Sequence, residues 1–274
     1  MKFLLIRAGD QRKNLNYILS APSTEPPLGL LYIGAILEKN GHSVEILDYC
    51  MEDVSKEKLK NHINSSDAVG MTLYSNDSNE AGNISKAIRE IDYDIPIIIG
   101  GPHCSYMQEK SLNDIPNADV CVIGEREKVI LDLVNYFQGK KKLSDIHGIY
   151  YKENESIFSG KPVKVILNLD EIPFPARHLI EKYEYGKFSF GFQFRKIVTS
   201  FYTSRGCPFH CRFCNRYGNI IDGWSYRQRS VENVLEEFAC LDNKYKSISI
   251  VDDNLLADKK RASIIFDGLI EMDK

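Results

Sequence analysis

The stretch SRGCPFHCRFCN, residues 204–215, places Cys207, Cys211 and Cys214 within eight residues, among a glycine, a proline and aromatic side chains. Thiolates at C-x-x-x-C-x-x-C spacing on a tight loop can each bond one iron of a cubane 4Fe–4S cluster. The fourth iron then has no protein ligand and is open to substrate. The other chemistry such a loop supports is a zinc site with His210 as the fourth ligand. Zinc sites of that kind join two ligand pairs across a longer spacer, whereas His210 adjoins Cys211 and would have to fold back onto the same metal.

The elements that must hold this loop read as βα units. IVTSFYTS (197–204) is a strand feeding the cysteines. Residues 230–242 are a helix with Ser230 as N-cap and Asn233 three residues on. Residues 247–254 are a second strand, and a second helix follows from Asp258. That second strand ends in Asp252, Asp253 and Asn254, the rim where barrel enzymes place ligand-binding groups. Cys240 is expected to be a small buried apolar residue.

In the first 140 residues short β-rich runs at 2–6, 43–48, 68–73, 95–100 and 119–124 alternate with helical patterns, the mark of a parallel sheet with crossover helices. The first helical pattern runs through Leu28, Leu31, Ala35 and Glu38 and stops at Gly41; others cover 77–92 and 125–139. Residues 141–196 break the alternation with a charged loop, a hairpin and a crossing segment carrying Pro173 and Pro175, and read as a connector. The expected organisation is thus 1–140, 141–196 and 197–274.

A length of 274 residues with 43% hydrophobic content suits two domains. Lys plus Arg number 35 against 38 Asp plus Glu, a net charge of −3 that leaves no footprint for nucleic acid or an anionic membrane. MKFLLIRAGDQ turns polar after six residues, and no run approaches the roughly 20 apolar residues of a membrane span, so the expected location is cytoplasmic. There, seven cysteines are reduced thiols rather than a disulfide framework.

The cysteine loop resembles that of radical S-adenosylmethionine enzymes, which carry it after the first strand of a partial (βα)6 barrel. The resemblance implies a 4Fe–4S cluster on Cys207, Cys211 and Cys214, with S-adenosylmethionine chelated to the open iron and Phe213 near its adenine. One electron passed to the sulfonium would yield methionine and a 5′-deoxyadenosyl radical. Asp252, Asp253 and Asn254 stand where many such enzymes have Gly-Gly-Glu to receive the methionine amino group.

Residues 26–48, 72–77, 97–105 and 122–127 look like the cobalamin-binding domain that precedes many of these barrels, and LDEIPFPARHLI is similar to its connector. The implied fold class is α/β, a Rossmann-like doubly wound parallel sheet followed by the first part of a radical S-adenosylmethionine (βα)6 partial TIM barrel. Implied cobalamin contacts are the hydroxyls of Thr72 and Ser75, the close-approach glycines Gly100 and Gly101, and His103, Gly124 and Glu125 on the same rim. Enzymes of this group that replace the lower axial base carry Asp-x-His-x-x-Gly after the first strand. RAGDQRKNLN has no histidine and His103 lies in another loop, so the expectation is cobalamin with its base displaced and no protein histidine on cobalt. His42, His62, His147 and His178 are expected to be structural or solvated.

The implied activity is C-methylation, or oxidative cyclisation as in the anaerobic magnesium-porphyrin ester cyclase, at an unactivated carbon of a small-molecule substrate. It would draw on a one-electron reductant such as flavodoxin or ferredoxin. Six βα units at about 30 residues each need about 190, and about 75 residues follow Lys196. The barrel is therefore expected to be truncated, completed by a partner chain, or a remnant that binds cobalamin and a cluster without turnover, with an unpaired edge on its last strand. FDGLIEMDK, which stops within a helical pattern, favours truncation. A tRNA methylthiotransferase-like alternative would put a second cluster on Cys50, Cys104 and Cys121. Against it, the loop after the first strand lacks a cysteine, Cys121 falls within a strand, and no basic RNA-binding tail follows.

Overall fold

The computed structural model describes residues 1–9, 25–154, 156–185, 197–214, 226–241, 243 and 245–272. Strands β1 (Lys2–Arg7), β2 (Ser43–Asp48), β3 (Ala68–Thr72), β4 (Ile97–Gly100) and β5 (Val120–Val122) fall where the apolar runs predict them. They pair in parallel in the order β2-β1-β3-β4-β5. Both faces of these strands are buried. Phe3 and Leu5 of β1 point into one core with Val44, Ile46 and Ile98, while Leu4 and Ile6 point into the other with Leu47, Ile97 and Ile99. Two-sided burial explains why the strands read as unbroken apolar runs rather than alternating ones.

Helices α1 (Leu28–Lys39), α2 (Lys56–Ile63), α3 (Ser78–Ile91), α4 (Pro102–Met107), α5 (Lys110–Asp114) and α6 (Glu127–Phe137) cover the sheet. The first core takes Leu31, Leu37 and Leu133 from α1 and α6, and the second takes Leu59, Ile84 and Leu112 from α2, α3 and α5. Local periodicity did not mark α2, α4 and α5. They span eight, six and five residues, too few for a 3.6-residue repeat to stand out. The Ser55 hydroxyl, accepting from Lys58 N at 3.2 Å, sets the start of α2.

The hairpin read in the connector forms as β6 (Ile149–Glu153) and β7 (Ser156–Ser159), and it pairs antiparallel through β5. It thereby extends the first sheet to seven strands. Up to residue 185 the described chain runs in irregular form with short 3-10 turns at Leu169–Glu171 and Arg177–Ile180; the next described strands are β8 (Val198–Phe201), β9 (Ser204–Arg205) and β10 (Arg227–Gln228). Helix α7 (Val231–Ala239), strand β11 (Ser247–Ile250) and helix α8 (Lys259–Glu271) complete the described part. Strand β11 pairs in parallel with β8, as a barrel requires. Ser230 caps α7 by accepting from Asn233 N at 3.1 Å, as its position predicts, and Phe201, Val234, Phe238 and Ile265 form the small core beneath. Cys240 is exposed, contrary to the expectation of burial. It stands just past the end of α7, whose buried face is Val234, Glu237 and Phe238. Among the described residues no helix is long and apolar enough to cross a membrane.

An ion cluster joins the two parts. The Glu125 carboxylate, 1% exposed, accepts from Arg227 at 2.9 and 3.0 Å and from Arg205 at 3.1 Å. It also accepts from Ile166 N of the connector at 2.5 Å, and Arg227 donates to Ile166 O at 2.6 Å. Arg205 pairs in addition with Glu127. A second clamp holds Glu237 of α7 between Arg177 and Arg229, at 2.6 and 2.5 Å. Removing one member of a buried ion set strands the others without solvent, at about 3–5 kcal/mol. We therefore predict that Glu125→Ala lowers the unfolding free energy in urea melts by about that amount. Lys128→Ala, which breaks the exposed 3.8 Å pair with Glu171, should cost less than about 1 kcal/mol. Equal losses would contradict a latch centred on Glu125.

Candidate active site

Strand order reverses between β1 and β3, the switch point at which doubly wound sheets bind ligands. A cleft of about 400 Å³ opens there. Arg7, Thr72 and Arg126 line it from the sheet side, and Tyr202, Arg205 and Val251 from the barrel side. The Arg205 guanidinium lies 4.6 Å from the centre of the Tyr202 ring, which in turn packs against Tyr32 with centroids 5.0 Å apart. Burial, the largest single influence, would lower the pKa of Arg205, but Glu127, Tyr202 and Glu125 together outweigh it and raise it well above the usual value. Burial would likewise raise Glu127, and Arg205 with a backbone hydrogen bond and Arg126 together outweigh it, holding the carboxyl below its ordinary 4.5.

The cysteine loop leaves this rim directly after Arg205. Cys207 is half-buried and Cys211 and Cys214 are exposed, with Cys214 N donating to Cys211 O at 3.1 Å. Among the described residues no three His, Cys, Asp or Glu side chains converge as the ligands of a single metal ion do. A cubane asks instead for one thiolate per iron, and three thiols on one loop at the edge of a cleft suit that demand. Phe213 is 92% exposed. Asp252 anchors the approach to the loop, accepting from Thr203 N, Thr203 Oγ1 and Ser204 Oγ, each at 2.6 Å. Its oxygens are thus engaged within the protein, while Asn254 Nδ2 reaches Cys207 Sγ at 4.0 Å. Tyr106 of α4 faces the same loop: its pKa is raised by burial and then by Cys214 and Asp253.

The sheet-side residues divide. Thr72 and Gly124 line the cleft, and Gly124 N donates to Ser105 Oγ at 3.1 Å. Glu125 lines it too, with its carboxylate spent on the ion cluster. Ser75 and His103 bond each other at 2.9 Å through Nδ1, and His103 Nε2 lies 2.9 Å from Asp114. Gly101 has φ +129, and a Cβ there would come within 2.5 Å of Leu73 O, so this glycine admits the neighbouring strand end rather than a ligand. At Gly100 a Cβ would meet the Arg126 side chain at 3.1 Å. Gly29, Gly70 and Gly100 line a narrow apolar slot of about 50 Å³ between the sheet and α1. A glycine-walled apolar slot opening on a polar cleft, with the buried Arg126 Nε lacking a hydrogen-bond partner among the described residues, suits a ligand with both apolar and polar parts, as a cobalamin is. The loop after β1, where a cobalt-binding histidine is missing from the sequence, lies mostly outside the described residues.

Other sequence candidates fall away from the site. Cys104 and Cys121 lie buried together, and a hydrogen bond from the Cys121 thiol to Cys104, then burial, pushes the Cys121 thiol up. Cys50 is pushed up to about 12, chiefly by burial. Thiols held protonated are poor metal ligands. His42, His62, His147 and His178 bond the N-terminal amine, Glu45, Pro162 O and Glu38, as structural histidines do. Sequence reasoning missed Arg126, Tyr106, Arg205 and Arg227. The alternating charges of GERE were a visible signal for Arg126; nothing local marks the other three.

Comparison with known proteins agrees with this geometry. The B12 binding domain family matches residues 16–134. The chain is 34% identical over 246 residues to an uncharacterized methyltransferase of Pyrococcus horikoshii, covering 88% of this chain and 51% of that protein. Its first half is thus similar to B12 binding domains, and most of its length to a methyltransferase. It is also 28% identical to the anaerobic magnesium-protoporphyrin IX monomethyl ester cyclase of Rubrivivax gelatinosus, over 79% of this chain and 39% of that one. Its fold is that of the cobalamin-dependent S-adenosylmethionine radical enzyme OxsB, solved with aqua-cobalamin and S-adenosylmethionine bound. That likeness has a TM-score of 0.76 at 20% identity, over 98% of this chain and 37% of that one. The chain spans about half the length or less of these relatives.

The depressed Glu127 carboxyl sets a pH dependence. Its ion pair contributes stability fully above the ordinary 4.5 and loses it as pH falls through the lower folded value. The stability gap between the native protein and Glu127→Gln should therefore be constant from pH 7 to 5 and narrow below about 4.5. Urea midpoints across that range measure it, and a gap that closes as pH rises would contradict the assignment.

Proposed function

We propose that this chain forms the cobalamin-binding and cluster-binding part of a radical S-adenosylmethionine enzyme that C-methylates, or oxidatively cyclises, a small molecule at an unactivated carbon. The observation that carries the reading is the shared cleft. The carboxyl ends of β1 and β3 and of β8 and β11 open onto one space, with the three cysteines rooted at its edge. Bound there, the cluster, S-adenosylmethionine and cobalamin would supply electron transfer, a carbon-centred radical and a methyl carrier.

The protein's own residues bind, orient and shield. Cys207, Cys211 and Cys214 would hold the cluster and leave one iron for S-adenosylmethionine, with Asn254 beside Cys207, Asp253 next to it on the rim and Phe213 for the adenine. Asp252 serves by fixing Thr203 and Ser204, and so the direction in which the loop leaves β8. Thr72, Gly100 and Gly124 would border the cobalamin. Both nitrogens of His103 have partners in the protein, which supports a cobalamin without His103 on cobalt; its base would be displaced. The exposed face of the cysteine loop suits an encounter with a one-electron reductant such as a flavodoxin or ferredoxin.

Anaerobic iron–sulfur reconstitution tests this. The reconstituted protein should hold iron and labile sulfide and produce 5′-deoxyadenosine from S-adenosylmethionine under reduction. Cys211→Ala should lose the cluster while binding cobalamin as before, since the two sites sit on different sheets. Zinc without sulfide in the reconstituted protein would end the proposal.

A further inference from the structure

The cleft and the apolar slot meet at one side chain. Arg126 lines both. Its stem and Nε lie 3.2 and 3.1 Å from where a Cβ on Gly100 would be, and its Nη1 lies 3.5 Å from the corresponding point on Gly29. The side chain therefore spans the mouth of the slot, between the end of β4 and the first turn of α1. A larger residue on either side would crowd it.

The other arginines at this rim are committed. Arg7 donates to Asp48 at 3.3 Å and to Glu25 O at 2.9 Å, and Arg205 is taken by Glu125 and Glu127. Arg126 forms no ion pair with any carboxylate among the described residues, and its buried Nε donates to nothing there. A guanidinium left with an unspent donor at the junction of a polar cleft and an apolar slot suits an anion that lies at that same junction.

Cobalamin is divided in the same way. Its corrin disc is edged with amides, its benzimidazole is apolar, and a single phosphodiester anion links the two. On the cobalamin reading above, we propose that Arg126 is the residue that pairs with the phosphodiester of bound cobalamin. Entry of the base draws the Arg126 stem out of the gap between Gly29 and Gly100, and the phosphate oxygens receive the donor that is unpaired without them. Arg126 is thus a binding residue that selects the complete, nucleotide-bearing form of the corrinoid. The slot supplies shape and the arginine supplies charge.

The test compares cobalamin with cobinamide, which lacks both the phosphate and the base, by absorption titration of anaerobically purified protein. Arg126→Met should weaken cobalamin binding by about 10- to 100-fold and leave cobinamide binding within about twofold of native. Arg126→Lys, which keeps the charge without the planar fork, should fall between them for cobalamin. Unchanged cobalamin affinity in Arg126→Met overturns the proposal, as does an equal loss for both corrinoids. Native protein that binds neither corrinoid overturns the cobalamin reading itself along with it.

Discussion

The buried set of Glu125, Glu127, Arg205 and Arg227 is the constraint on which the arrangement of this molecule rests. Two carboxylates at the start of α6 meet two arginines, one entering the cysteine loop and one on the strand beside it, and the connector closes the set through both backbone groups of Ile166. Within the set the charges balance, two against two. Such a group gains little net stability over an apolar patch of equal volume, because desolvating each charge costs about as much as pairing returns. What it does is fix direction. An apolar interface tolerates a slide of an ångström; a guanidinium that loses its carboxylate in a dry site does not.

That fixed direction has a functional meaning. The ligand-binding ends of two different parallel sheets are turned toward one cleft, and Arg205 contributes both to the latch and to the cleft wall. Asp252 repeats the device on a smaller scale. By taking three hydrogen bonds from Thr203 and Ser204 it ties the end of β11 to the chain leaving β8, so the loop bearing the thiols starts from a set point. Tyr106 of α4 lies within electrostatic range of that loop, since Cys214 and Asp253 raise its pKa after burial does.

Much of this was legible in the sequence, and what was not has a physical pattern. The parallel strands declare themselves because two-sided burial demands continuous apolar runs. The cysteine spacing stands out because three thiols within eight residues are what a cluster site would ask for. The caps at Ser230 and the stop near Gly41 follow from local backbone needs. Pairings across long stretches of chain do not show in any local pattern: Glu125 and Arg227 are 102 residues apart, and either could have been an ordinary surface charge. For the same reason Asp252 reads as a free rim carboxylate when its oxygens are already engaged, and Cys240 reads as buried because helical periodicity does not say where the last turn meets solvent. Gly101 was visible as a requirement for glycine, but the partner that requires it, the Leu73 backbone, was not.

On the proposed function, the latched cleft would bring a cobalt centre and an iron–sulfur cluster close together. Electron paramagnetic resonance on anaerobic protein loaded with cob(II)alamin and a reduced cluster addresses it directly. The account predicts a cobalt spectrum broadened and relaxed faster by the neighbouring cluster spin, with the effect lost when the cluster is left in its diamagnetic oxidised state. A cobalt spectrum identical in the two cluster states, in protein shown to hold both centres, would contradict it.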